Sequence, residues 1–400
     1  MIHNYQRLLL KSPRFFIFSI SGIFFSAPGQ TFLISLVIPA ICNTLAISPL
    51  RFAALYSSAT IMASLFLPII GKMIDQWPLK KTILLNTTIF TAAILLFSTL
   101  SSQVILFFAL FLMRLFGQGA LALTATSITI KQFVKHRGSA LSLTQLGYPI
   151  SEFIFPGIAI FLIGSVGWRA TFFLLALAVP LLYLPLSLIG LPSKPSEDSQ
   201  STESNSKSLS FVLNDGFFPI YVALSSIPPI MMTATLYFQV DIFNLNGWPI
   251  ANAAVAIFCY ALVKFVFTII IGPLIDRFGV VYSLFFLIFC IGSATFLISL
   301  NGPQVMAFLY YSLFGAGLGA SASTTSYLWG LLYGTKHIGE IKGAIAIVRN
   351  GATAIAPIGF SYFLYQHNVT FERIFFNCGI IILIMSLLPF FLKYFDKRLR

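Results

Sequence analysis

The chain is 400 residues long; 58% of them are hydrophobic, only 9% are charged, 43 are Phe, and the net charge is +13. A soluble domain carries about 25% charged residues, so a water-soluble core of this size is excluded and the chain must be solvated by lipid. Backbone polar groups in lipid have to be satisfied internally, which leaves helices or a closed barrel. The apolar runs are long and unbroken, unlike the short alternating segments of a barrel, and this selects helices.

In chain order, twelve runs are apolar and long enough to cross a bilayer: residues 15–41, 51–73, 82–100, 103–129, 139–163, 168–190, 217–243, 250–274, 280–300, 304–332, 343–365 and 371–394. The first follows MIHNYQRLLLKSPR and lacks the small-residue cleavage site of a signal peptide, so it is expected to be retained. With the N-terminus inside, the cytoplasmic segments hold 18 Lys and Arg residues, Lys135, Lys194 and Arg400 among them, and the outer segments hold 3: Arg51, Arg169 and Arg373. This bias sets both termini in the cytoplasm and accounts for the net charge without a nucleic-acid partner. Between the sixth and seventh runs lies LPSKPSEDSQSTESNSKSLS, Ser-rich and free of aromatics, the composition of a flexible linker. The expected fold is an all-α membrane protein of 12 transmembrane helices: a six-helix bundle over 1–190, a cytoplasmic linker over 191–215 and a pseudo-symmetric six-helix bundle over 216–400.

Several chemistries find no residues to carry them. Cys42, Cys259, Cys290 and Cys378 are scattered through apolar runs with neither disulfide nor metal spacing, and His3, His136, His337 and His367 lie near span ends, unclustered. No Gly-x-x-x-x-Gly-Lys-Ser/Thr loop offers ATP hydrolysis, and no soluble domain holds an enzyme site. Neither enzymatic activity, metal nor cofactor is expected.

The two halves read as repeats. GKMIDQW after the second run and GPLIDRF after the eighth align Gly71, Ile74, Asp75 and Trp77 with Gly272, Ile275, Asp276 and Phe278, each 201 residues apart. RLFGQGA in the fourth run matches SLFGAGL in the tenth at an offset of 198. RGSALS before the fifth matches KGAIAI before the eleventh at 205, and the runs that follow carry Pro156 and Pro357. Duplicated halves related along the membrane normal are an architecture of transporters. A Gly near a helix end lets a neighbouring helix approach closely, and an Asp beside it can accept hydrogen bonds from the positive N-terminus of a facing helix. The bland alternative, a solvated turn, is disfavoured because the pattern recurs at equivalent places.

The paired Gly-x-x-x-Asp loops, the RLFGQG of the fourth run and the Gly/Pro-rich fifth run resemble the major facilitator superfamily along the whole chain. GQTFLISLVIP, TATLYFQVDIFNLNGW and YGTKHIGEIKG are similar to bacterial members near the monocarboxylate-porter branch. The resemblance implies that the loops carrying Gly71 and Asp75, and Gly272, Asp276 and Arg277, latch the cytoplasmic side while the cavity faces out. The first loop departs from the family pattern, with Gln76, Trp77 and Pro78 after its Asp and Lys80 and Lys81 further on. The second, Asp276-Arg277-Phe278-Gly279, keeps the pattern better, and Lys264 stands where eukaryotic monocarboxylate porters pair an Asp with an Arg.

Four ionisable residues fall deep in spans: Arg114, Glu152, Lys264 and Arg349. Each costs about 2.5–3.5 kcal/mol at a helix centre on insertion scales, which makes each a functional candidate, with a structural ion pair as the alternative. Consecutive antiparallel spans four and five allow Arg114 to meet Glu152, and Gln118 stands one turn from Arg114. Glu152, the deep carboxylate, is the natural proton carrier because burial favours its neutral form, and the resemblance links Arg114 to proton coupling. Arg349 is shallow enough to snorkel. Three positive charges against one negative favour an anionic solute, with Gln30 after the Pro28-Gly29 break, Tyr237 and Gln239 as further hydrogen-bonding candidates; helix packing serves these three equally well.

The expected function is a secondary active transporter of the inner (plasma) membrane, a monomer working by alternating access, coupled to protons and moving a small carboxylate-bearing solute. A larger cargo, such as a drug or carboxylate siderophore, is the first alternative, and a non-transporting receptor on the same fold is the second. A bare chain with a deep carboxylate argues against the receptor.

Overall fold

The structure is a computed structural model that describes residues 2–134, 136–191, 207–238, 242–243, 246–249, 251–300, 302–366 and 370–399. Gln239, Lys135, Lys194, Arg400 and the linker over 192–206 lie outside the described residues, as do the side chains of Tyr237 and Pro357. The described chain is helical throughout, without strands.

A helix underlies each of the twelve expected runs, but among the described residues ten stretches are long and apolar enough to cross a membrane by length and composition. Runs five and six fall in one stretch, Arg137–Ile189, which bends at Gly167, where a φ of 82° suits a residue without a side chain. The helix of the eleventh run, Ile338–Gln366, carries Glu340, Lys342 and Arg349 and is not among the ten. The first run is broken: the helix Pro13–Phe24 gives way to a tight turn over Ala27–Gly29 and short turns before the helix Ile38–Leu45 resumes. Pro28 and Pro39 remove backbone donors there, and Gly29 adds a flexible joint.

Contacts divide the chain into two compact units: Met1–Lys135 with Leu143–Leu209 and Gly334–Ile347, and His136–Ser142 with Ser210–Tyr333 and Val348–Arg400. The core of the first unit includes Ile23, Ala122 and Ala125, against which Tyr148 packs. Arg169 closes the C-terminus of its Leu79–Ser98 helix by donating to the carbonyls of Ser98 (3.2 Å) and Leu100 (2.6 Å), where a cation also complements the helix dipole. In the second unit the helix Val305–Tyr333 presents Gly315 and Gly319 to the helix Ala251–Phe278. A Cβ at either would lie 2.5 Å from the carbonyl oxygen of Tyr260 or Lys264, so the backbones pack directly.

The second unit also ties its ends together. Arg398, in the C-terminal 3-10 turn Lys397–Leu399, donates to Asp396 (Nη2, 2.7 Å) and ion-pairs with Asp215 ahead of the Phe218–Tyr237 helix. Tyr221 donates to Asp396 (2.8 Å) and Tyr333 to Asp215 (3.0 Å). Burial opposes all three charges, but the hydrogen bonds and mutual attraction outweigh it. Asp215 and Asp396 are held below the ordinary carboxylate value, and Arg398 above its own. Depressed carboxylates add stability above the ordinary aspartate value of 3.8 and lose it as pH falls through their folded values. The Arg398 contribution is lost only at strongly alkaline pH. Arg398→Ala should therefore lower thermal stability at pH 7 by about 1–3 kcal/mol and flatten the acid slope below about pH 4. Unfolding followed by tryptophan fluorescence checks this; an unchanged acid slope contradicts it.

Candidate functional site

The two Gly-x-x-Ile-Asp segments end their helices in the same way. Asp75 lies in the last turn of Pro49–Gln76 and Asp276 in the last turn of Ala251–Phe278. A carboxylate is unfavourable at a helix C-terminus unless another group compensates it, and here helix N-termini do so. Asp75 accepts from the amides of Gly339 (3.1 Å) and Glu340 (2.9 Å), in the first turn of Ile338–Gln366. Asp276 accepts from the amides of Gly138 (2.8 Å) and Ser139 (2.9 Å), in the first turn of Arg137–Gln145, and from the Ser139 hydroxyl. First-turn amides have no partner inside their own helix, so each carboxylate satisfies two of them and meets the positive end of a dipole.

The glycines make the approach possible. A Cβ on Gly71 would overlap the Gly339 carbonyl, and one on Gly272 would sit 2.7 Å from the Gly138 carbonyl. The clasps differ in one respect: Asp75 also pairs with Lys131 at 2.7 Å, its side chain only 2% exposed, whereas Asp276 gains a hydroxyl. Arg277 turns outward, exposed, with its guanidinium 5.2 Å from the Phe278 ring centre.

Gly138 and Gly339 are 201 residues apart, the offset of Asp75 and Asp276. The RGSALS–KGAIAI match, at 205, is thus one helical turn out of register. A helix repeats its face every 3.6 residues, so a match resting on one Gly slips easily by a turn. Gly343, the glycine of the KGAIAI match, packs instead on the Leu67 backbone.

Arg114 lies in a π-helical stretch, Met113–Leu121, covering the RLFGQGA motif; π-turns are rare and concentrate at functional sites. Its guanidinium is buried. Nη1 donates to the Gly29 carbonyl and to Thr31 Oγ1, both at 3.3 Å, and Nε donates to Thr60 Oγ1 at 3.2 Å. The Tyr56 ring lies 5.1 Å from Cζ, and the Tyr56 hydroxyl is 2.8 Å from Thr31 Oγ1. The Gly29 carbonyl is available because the first run is broken there, and Gly29 itself packs on the Gly117 backbone. Every partner of Arg114 is neutral. The pair with Glu152 that the consecutive spans allow is not formed: acceptors from the first two runs reach the guanidinium instead, and Glu152 stands half-buried in the helix Gly147–Ala178.

The remaining candidates are more dispersed. Gln118 is half-buried and makes no hydrogen bond to Arg114. Gln30 is buried and donates to Ser26 Oγ (3.1 Å), a packing role. Lys264, half-buried in the second unit, has Nζ 5.6 Å from the Tyr260 ring centre. Arg349 is half-buried in the helix Ile338–Gln366. Sequence reasoning missed Thr31, Tyr56 and Thr60 around Arg114, whose spacing carries no signal, and Lys131 on Asp75. It also missed Gly339, which the offset of 201 applied to Gly138 would have found.

Comparison with known proteins follows the same lines. The family model described as Major Facilitator Superfamily matches residues 20–357, and no curated protein matches significantly. Among solved structures, the chain is similar to the human organic anion transporter MFSD10 (TETRAN), with 13% identity, a TM-score of 0.70 and coverage of 95% of this chain and 99% of that one. It is also similar to the proton:xylose symporter XylE bound to 6-bromo-6-deoxy-D-glucose, with 14% identity, a TM-score of 0.73 and coverage of 96% and 95%. A double Trp mutant of XylE gives 15% identity and a TM-score of 0.69 over 94% of each chain. At such identities structural likeness shows the fold, and the family match, which spans most of the chain, shows the lineage: the chain belongs to the major facilitator superfamily.

Proposed function

We propose that this multi-pass membrane transporter is a secondary active carrier that works by alternating access, takes its energy from protons and moves a small carboxylate-bearing anion. The observation that carries the reading is the twin clasp, in which Asp75 and Asp276 each hold the first-turn amides of another helix. Two such clasps at equivalent places suit a machine that closes one side and releases it in each cycle. A clasp of this kind is reversible because water can replace each bond at modest net cost, about 0.5–1.5 kcal/mol for a neutral bond and more for a charged one.

Support for an anionic cargo comes from the surplus of deep cations and from Arg114, a permanent charge surrounded by neutral acceptors. A buried cation so placed attracts an anion strongly, since its field is little screened. MFSD10, an organic anion transporter, shares the fold. Glu152 serves as the proton carrier, as XylE, a proton:xylose symporter, offers a precedent for proton coupling on this fold. Lys264 and Arg349 add positive potential for the solute, with Tyr237 and Gln239 as hydrogen-bonding partners. The chain acts as a monomer in the inner (plasma) membrane, and the Lys and Arg bias sets its termini and linker in the cytoplasm.

Counterflow tests the cargo. Proteoliposomes preloaded with a small mono- or dicarboxylate should take up the same labelled solute, while neutral sugars of similar size should give no exchange. Exchange of a neutral solute, with none for either carboxylate class, contradicts the anion reading.

A further inference from the structure

We propose that the first turns of the Leu79–Ser98 helix form a binding site for an anionic phospholipid. A shallow groove of about 500 Å³ runs along this helix, lined by Pro78, Lys80, Lys81, Leu84, Leu85 and Thr88. Lys80, Lys81, Leu84 and Thr88 form an exposed stripe, one to two turns apart. The helix is among those long and apolar enough to cross a membrane, so its exposed face is filled by lipid, and the groove chooses which headgroup sits at its end.

The end of the groove is built for a phosphate. Among the described residues neither Lys80 nor Lys81 has a carboxylate partner; Lys81 Nζ rests 4.4 Å from the Trp77 ring centre. Asp75, the nearest acid in the chain, is already taken by Lys131 and two amides. The helix N-terminus is uncapped, because the N-cap residue, Pro78, offers no side-chain acceptor. Among the described residues the amides of Leu79 and Lys80 donate to no acceptor, the first-turn bonds to Pro78 coming from Lys81 and Thr82. Two lysines thus line one groove beside a positive helix end with open first-turn amides, a combination that favours an anionic headgroup. Trp77, 37% exposed, has the amphipathic ring that settles at the headgroup level. Leu84, Leu85 and Thr88 continue the groove along the helix as a seat for an acyl chain.

Charge complementarity calls for an anion, and the apolar continuation of the groove along a membrane-crossing helix commits the site to a phospholipid rather than to a soluble phosphate. Native mass spectrometry of the full chain, offered phosphatidylglycerol and phosphatidylcholine with the same acyl chains, tests this. The wild type should retain phosphatidylglycerol preferentially. K80Q/K81Q, at exposed positions, should lose that preference by roughly 25-fold, each lysine contributing about fivefold. Thr88→Trp, which fills the groove and spares both lysines, should also weaken retention, while K11Q/R14Q should not. The proposal is overturned if the wild type shows no preference, if K80Q/K81Q keeps it, or if Thr88→Trp leaves it intact, the mark of diffuse surface attraction. Displacement by glycerol 3-phosphate at equal concentration overturns it too, since the site would then take a soluble anion.

Discussion

Asp276→Asn is expected to reduce transport at least tenfold while the protein still folds and inserts. The carboxylate accepts from two backbone amides and a hydroxyl. An asparagine keeps one acceptor oxygen and turns an NH2 group towards a donor, so it loses the charge and one of the bonds. Hydrogen bonds to charged groups contribute about 1.5–3 kcal/mol each, so the clasped state loses several kcal/mol relative to the released one. A shift of about 5.5 kcal/mol takes a two-state equilibrium from 99:1 to 1:99, and a carrier trapped on one side cannot cycle. Asp75→Asn should impair transport as well, since it strips Lys131 of its carboxylate and leaves one of the two first-turn amides without an acceptor. Gly71→Leu supplies a test through shape alone, because its side chain would collide with the Gly339 backbone. Transport by purified, monodisperse variants decides the matter, and wild-type rates in both Asn variants would remove the clasps from the cycle.

Arg114→Lys is expected to abolish counterflow exchange. Lysine keeps the charge, but a single ammonium cannot reproduce the planar fork that reaches the Gly29 carbonyl, Thr31 and Thr60 together. The Gly29 carbonyl sits at the break in the first run, so losing the bond also loosens the joint between that run and the π-helical stretch of the fourth. If Arg114 attracts the anion through charge alone, the lysine variant should retain exchange with a weakened KM. If its placement by the first two runs matters, exchange falls below detection, which is the outcome the geometry favours. Thr60→Val, which removes one acceptor and keeps the side chain's shape, should lower exchange by a smaller factor.

The fold was legible because the lipid environment enforces a simple code. Helices had to fall where apolar runs were long, and Gly167, a residue able to take a positive φ, separates two of them inside a continuous stretch. The clasping carboxylates were legible too, since Gly71-x-x-x-Asp75 repeats at Gly272-x-x-x-Asp276. Their partners were not: backbone amides leave no mark on a sequence, and the glycines that admit them sit amid 27 glycines. The surroundings of Arg114 were illegible for another reason. Its acceptors, a carbonyl and two threonine hydroxyls, are residues that also occur throughout apolar helices as packing, and only the break at Pro28-Gly29 hinted that a carbonyl was free. The ring of Asp215, Asp396 and Arg398 escaped notice because it joins residues 183 positions apart across the second unit.

The most direct test of the account is uphill accumulation. Proteoliposomes with an inward proton gradient should concentrate a carboxylate that the wild type exchanges, and a protonophore should collapse the accumulation. Glu152→Gln should fail to accumulate yet still exchange, because an amide imitates the protonated acid but has no proton to release. Accumulation by wild type that survives the protonophore, or accumulation by Glu152→Gln equal to wild type, would contradict proton coupling through this carboxylate.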